Sequence, residues 1–172
     1  MDSQREPCPA CGAPLGGRVG CQNTFHELSA QSYTSAARGA MHNMLVDTYA
    51  MQHPEEYGVS AKSYIRHLYA LGCLLQHPGD VRLYWATPIS GIPVPVPAKP
   101  PLLDARGTLT IEHAVAAPDD AAYEQAIREW AANVWQAYAP QHQIARDYMD
   151  GVGRAGPLLL PAAYRSVTRG SG

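Results

Sequence analysis

Cys8 and Cys11 stand two residues apart in Cys8-Pro-Ala-Cys11-Gly-Ala, and Cys21 follows within reach of the same loop. The pattern is C-x2-C-x9-C. Two thiolates at this spacing can grip one metal ion, while Gly12 lets the chain turn so that backbone amides face the sulfurs. Three thiolates need a fourth ligand. If the first two helices form an antiparallel hairpin, the start of the first lies beside the end of the second. Cys21 opens the first and His53 closes the second, so His53 is the expected fourth ligand. His26, five residues after Cys21, sits about 140° further round a helix and points elsewhere. His77 ends a third helix, at the opposite end of such a bundle. A Cys3His set with no open position predicts one structural zinc ion, clamping a loop too poor in apolar residues to fold alone. Two other readings compete. One is reduced free thiols. The other is a redox C-x2-C pair, which here lacks the flanking strand and helix of a thioredoxin-like motif. Cys73, in Leu71-Gly-Cys-Leu-Leu, reads as a small core hydrophobe.

A second set of groups could do acid–base chemistry. In a hairpin closed near Tyr57, His67 falls level with Asp47 or Val46, so that an Asp47–His67 contact can form. Such a pair is either a buried contact that fixes helix register or a carboxylate-oriented histidine in an active site. His42 and His142 are further candidates for that site. His42 and His53 are about 16 Å apart along one helix and cannot share a metal. His113 is expected to be a solvated helix residue. The chain has no Glu-x-x-His or His-Glu-x-x-His motif, no phosphate loop and no dinucleotide fingerprint.

Helices must position these groups, because the periodic segments repeat at 3.6 residues and none alternates over a useful length. A first helix is expected near Cys21, with Phe25 and Leu28 on one side. A second runs from about Ala36 to Gln52 and stops at His53-Pro54. Ser60 caps a third, which runs to about Gln76 and is apolar nearly all round, as a central helix is. A short helix is expected over 80–86. Six prolines in residues 88–101 predict an irregular, surface-lying connection, with Val94 and Val96 outside any sheet. Thr110 caps a short helix ending near Ala117. Pro118-Asp119-Asp120 opens the longest helix, with Tyr123, Ile127, Trp130, Val134 and Tyr138 on its stripe. Pro140 interrupts it before a last segment ending near Met149. The expected fold is mainly α: a small helical bundle with an N-terminal cysteine-rich zinc-knuckle loop. Residues 1–20 form the knuckle loop, 21–150 the helical domain and 151–172 a flexible tail.

Composition narrows the partners. Of 172 residues, 16% are charged and the formal net charge is −2, so no basic face for nucleic acid is expected. The longest apolar runs fall far short of the roughly 20 residues that a membrane span needs. Met1 to Glu6 is polar with no apolar stretch after it, which predicts a cytoplasmic protein whose thiols stay reduced.

The motifs together resemble an uncharacterised bacterial family, a domain of unknown function. Its members share a CPxCGA start, a further C-x3-F, then VDxYxxQHP, S-x-x-SY-x-x-HL and a tryptophan-rich C-terminal helix. Here these are Cys8 to Ala13, Cys21 to Phe25, Val46 to Pro54 and Ser60 to Leu68, with Trp130 and Trp135 in the last part. The resemblance covers residues 8 to about 148. It implies that Cys8, Cys11, Cys21, Asp47, His53 and His67 belong to one pattern, and it implies no activity. The expected function is a zinc-stabilised, non-catalytic module for protein interaction or regulation. The alternative is a metal-dependent or acid–base enzyme with its site around Asp47 and His67.

Overall fold

The computed structural model describes residues 6–80, 83–84 and 94–154, and helix dominates them with no strand. The elements are α1 (Gly17–Gln31), α2 (Ala36–Gln52), α3 (Pro54–Tyr57), α4 (Ala61–Gln76), α5 (Ile111–Val115), α6 (Asp120–Ala137) and α7 (His142–Arg154). A single 3-10 turn, Ala139–Gln141, joins the last two.

Local chemistry explains most of the boundaries. At α2, Ser35 accepts from the Arg38 amide at 3.1 Å. At α4, Ser60 and Ser63 cap each other reciprocally, at 3.0 and 3.1 Å. At α6, Asp119 accepts from the Ala122 amide at 2.8 Å. Thr110 occupies the cap position of α5 without a side-chain bond. Two boundaries differ from the expectation. α1 begins at Gly17, four residues before Cys21, directly after a turn in which Gly16 has φ 90° and Gly17 φ 71°. α7 runs past Met149 to Arg154, with Tyr148, Met149 and Val152 buried. In both places tertiary packing extends a segment whose glycines read as loop.

Two helices are central. α4 buries every residue from Leu68 to Cys73, as its all-round apolar pattern requires. α2 buries every residue from Asp47 to Gln52, although that run carries polar side chains. α2 packs on α1, α4 and α6; α5 lies over α1 and α6, and α7 covers α4. α6 supplies Trp130 and its C-cap Tyr138, both fully buried. Residues 94–101 have no regular structure, and Lys99 ties them down by donating to Gly58 O at 2.5 Å. Val94 and Val96 rest half-buried against the core outside any sheet, while 88–93 lie outside the described residues. Most of the short helix expected over 80–86 also lies outside them; within it the Tyr84 amide reaches Asp80 O at 3.1 Å, one helical turn. Of the expected tail, 155–172 fall outside the described residues.

Among the described residues no helix is long and apolar enough to cross a membrane.

Candidate metal centre

The end of α2 is where the sequence concentrates buried polar atoms, and each terminal carbonyl there meets a donor. Tyr49 O accepts from the His53 amide at 3.0 Å, and Ala50 O from the same amide at 3.2 Å. Met51 O accepts from the Tyr138 hydroxyl at 2.6 Å and Gln52 O from Arg106 at 3.1 Å. The Gln52 amide group donates to Leu109 O at 2.8 Å and accepts from the Trp130 indole at 3.0 Å. A helix end is short of partners for its last carbonyls. Here the His53 amide meets two of them, and the side chains of Tyr138, just after α6, and Arg106, before α5, meet the other two. His53, 1% exposed, is therefore held at a fixed place and angle.

The N-terminal loop folds onto that place. The Cys8 amide donates to Ala13 O at 2.8 Å and the Gly12 amide to Cys8 O at 2.8 Å, closing a tight knuckle. Gly12 has φ 82°, a left-handed conformation that glycine adopts freely. The loop then returns so closely over α1 that a Cβ on Gly20 would lie 1.8 Å from Leu15 O. That crossing sets Cys21 on the inner face of α1. Phe25, one turn on, stacks on Tyr49 of α2 at 4.0 Å, and Tyr49 stacks on His53 at 4.0 Å.

These elements bring Cys8, Cys11, Cys21 and His53 together, with all four ligand atoms within 4.8 Å of one another. Cys11 Sγ lies 3.7 Å from Cys21 Sγ. His53 Nε2 lies 3.5 Å from Cys21 Sγ and 3.6 Å from Cys8 Sγ. A tetrahedral ion with sulfur at about 2.3 Å and nitrogen at about 2.0–2.1 Å has edges of about 3.8 Å between sulfurs and about 3.6 Å between sulfur and nitrogen. The three separations above match those edges, and with all four donors within 4.8 Å the residues could hold a metal ion. His53 Nδ1 donates to Tyr49 O at 2.9 Å, which fixes the ring and leaves Nε2 with its lone pair toward the sulfurs. Cys8, Cys21 and His53 are buried and Cys11 is half-buried. The hydrogen bond shared with Cys11 holds the Cys21 thiol well below the usual thiol range against the opposing effect of burial, and it drives Cys11 up. A cluster that favours a thiolate before any cation is present suits a cation. His26 is exposed on α1 beside Phe25, and His77 is exposed at the end of α4.

The second candidate set is only partly assembled. Asp47, fully buried, accepts from His67 Nδ1 at 2.8 Å, from Arg66 at 3.0 Å and from the Tyr84 hydroxyl at 3.1 Å. His42 sits instead at the α1–α2 turn, 3.1 Å from Ser32 Oγ. His142 stacks on Trp135 at 3.9 Å and donates to Trp135 O at 2.8 Å. His113 pairs with Glu129 at 2.8 Å on the surface. Cys73, 1% exposed, is a core residue whose thiol burial pushes up to about 12.

Sequence reasoning missed three participants. Tyr49 touches two of the four donors, through its carbonyl on His53 and its hydroxyl 3.7 Å from Cys21 Sγ. Its i, i+4 spacing to His53 was the available signal. Arg66 and Tyr84 complete the shell of Asp47. Arg66 adjoins His67 in sequence, whereas nothing local marks Tyr84.

The described residues thus form a mainly helical protein whose N-terminal loop and first two helices build a Cys3His cluster that could hold a metal. Residues 6–139 match the model of a family of unknown function, DUF5946, and the chain belongs to that family. No curated protein and no solved structure matches it. All four donors, with Asp47 and His67, lie inside the matched span.

Proposed function

We propose that Cys8, Cys11, Cys21 and His53 bind one structural zinc ion, and that the protein is a cytoplasmic, non-catalytic module acting in protein interaction or regulation. The observation that carries this reading is the donor set: three sulfurs and one imidazole nitrogen within 4.8 Å of one another, with three of the separations at tetrahedral edge lengths. Thiolate-rich tetrahedral sites suit zinc, and a site whose four positions are all protein atoms keeps no place for substrate. The ion would supply positive charge to the thiolates and a cross-link between the N-terminal loop that carries Cys8 and Cys11 and the helices that carry Cys21 and His53. Cys8 and His53 are 45 residues apart in sequence, so the cross-link closes a long loop. Elemental analysis of purified protein is expected to give about one zinc per chain; iron or no metal is the contrary result.

Tyr49 is the group to vary without touching a ligand. Tyr49→Phe removes the hydroxyl at Cys21 and keeps the ring stack and the carbonyl on His53. Partners at this distance from a metal typically change affinity about 10–100-fold. Competition with a chromophoric chelator is expected to show a loss at the lower end of that range, with helix content unchanged.

The alternative reading is an acid–base site in which Asp47 orients His67. The specific support for it is the 2.8 Å contact between them, with the His67 side chain 13% exposed. Against it, His42 and His142 are bound elsewhere and join no common site with that pair.

A further inference from the structure

The four donors are not equally protected. Cys8, Cys21 and His53 are buried, whereas Cys11 is only half-buried and so is the one sulfur open to small solutes. Cys11 sits on the loop side of the site, followed by Gly12 with φ 82°, while Cys21 is fixed within α1. Their sulfurs are in contact, 3.7 Å apart. Cys8 Sγ and Cys21 Sγ both lie beside His53 Nε2, at 3.6 and 3.5 Å, and the sulfur–sulfur contact is the one between Cys11 and Cys21. A disulfide needs its sulfurs at about 2.05 Å. Closing that gap asks for a movement of somewhat under 2 Å, and the partner that can supply it is the loop residue.

We propose that the cluster is a peroxide-sensitive release switch in which oxidation joins Cys11 to Cys21 and expels the ion. The inference rests on the zinc reading above and adds regulation to the same four residues. The Cys11 thiolate attacks one oxygen of a hydroperoxide; the O–O bond breaks, leaving a sulfenic acid on Cys11 and hydroxide, which takes a proton to become water. The Cys21 thiolate then attacks the Cys11 sulfur, forming the S–S bond and displacing a second hydroxide, which also becomes water. Two thiolates, one hydrogen peroxide and two protons yield one disulfide and two water molecules. The sulfurs are oxidised and the peroxide reduced. Two of the four ligands are consumed. Cys8 and His53 alone cannot complete a tetrahedral zinc site, so the ion leaves and the loop loses its tie to α2. A thiol reductant restores both thiolates.

The test uses the full chain purified with its zinc and treated with hydrogen peroxide. Released zinc is read with a chromophoric chelator, and the disulfide is mapped by peptide mass spectrometry without reduction. The expected result is about one zinc released per Cys11–Cys21 disulfide, reversed by dithiothreitol and added zinc. Cys73→Ala is expected to release zinc like the unmodified chain, since Cys73 is a buried core thiol that is not among the four donors. Zinc retained with unreacted thiols overturns the switch and leaves the zinc reading standing. A Cys8–Cys11 disulfide overturns the assigned pair. Protein that carries no zinc before peroxide removes both readings.

Discussion

His53→Ala is expected to cost the protein its metal under conditions where the unmodified chain keeps it. A zinc site in a small domain contributes about 10–16 kcal/mol of binding free energy, which is shared with folding of the segment it ties. Losing one of four ligands lowers affinity by far more than the 10–100-fold typical of an outer partner. The loop consequences should be local. Residues 7–20 contribute few buried side chains, chiefly Cys8 and Ala13, whereas α2, α4 and α6 share a core of their own. Hydrogen exchange is therefore expected to accelerate over the knuckle and the first turn of α1, with α4 and α6 protected as before. Global unfolding by the same substitution would mean that the ion holds the bundle itself. Acid should act in the same direction as the substitution: ligation requires deprotonated sulfurs and a free imidazole nitrogen, so lowering the pH releases the ion.

The second large effect belongs to Asp47. Its carboxylate is fully buried and meets Arg66, His67 and Tyr84. Asp47→Ala removes the common partner of three polar groups while leaving them in place. Breaking one side of a buried ion pair costs about 3–5 kcal/mol, mostly because the other side is stranded. Arg66 and His67 keep some access to water, with side chains 20% and 13% exposed. The expected loss is accordingly about 3 kcal/mol, read as a lower midpoint in urea unfolding with zinc present throughout. The zinc content of the folded variant should stay at one per chain, since the Asp47 cluster and the cysteine cluster share no residue. A variant as stable as the unmodified chain would show that the pair is not holding α2 against α4, and would favour the acid–base reading.

The centre was legible in the sequence because its geometry follows from chain direction. Cys8 and Cys11 share a knuckle, and an antiparallel α1–α2 hairpin delivers His53 to the Cys21 end whatever the details of packing. The same reasoning placed His67 level with Asp47 or Val46, and the contact forms with Asp47. Pro54 marked the end of α2, Ser60 the start of α4 and Asp119 the start of α6, each through a local constraint on backbone or cap. What could not be read depended on contacts between distant segments. The start of α1 at Gly17 reflects the close crossing of Leu15 over Gly20, which leaves no trace in helix propensity. Tyr49 and Tyr138 read as apolar helix positions and nothing local marks Tyr84, yet their hydroxyls reach Cys21, Met51 O at the end of α2 and Asp47 respectively. His42 and His142 looked like candidates by residue type alone. Each instead serves its own neighbourhood, at Ser32 and Trp135.

X-ray absorption at the zinc edge of the purified protein measures the proposed centre directly. The expected first shell is three sulfurs at about 2.3 Å and one nitrogen at about 2.0–2.1 Å, with outer scattering from an imidazole ring. His53→Ala should lose the imidazole signature. A shell of nitrogen and oxygen, or two sulfurs with a bound water, would contradict a closed Cys3His site and reopen the case for catalysis at the metal.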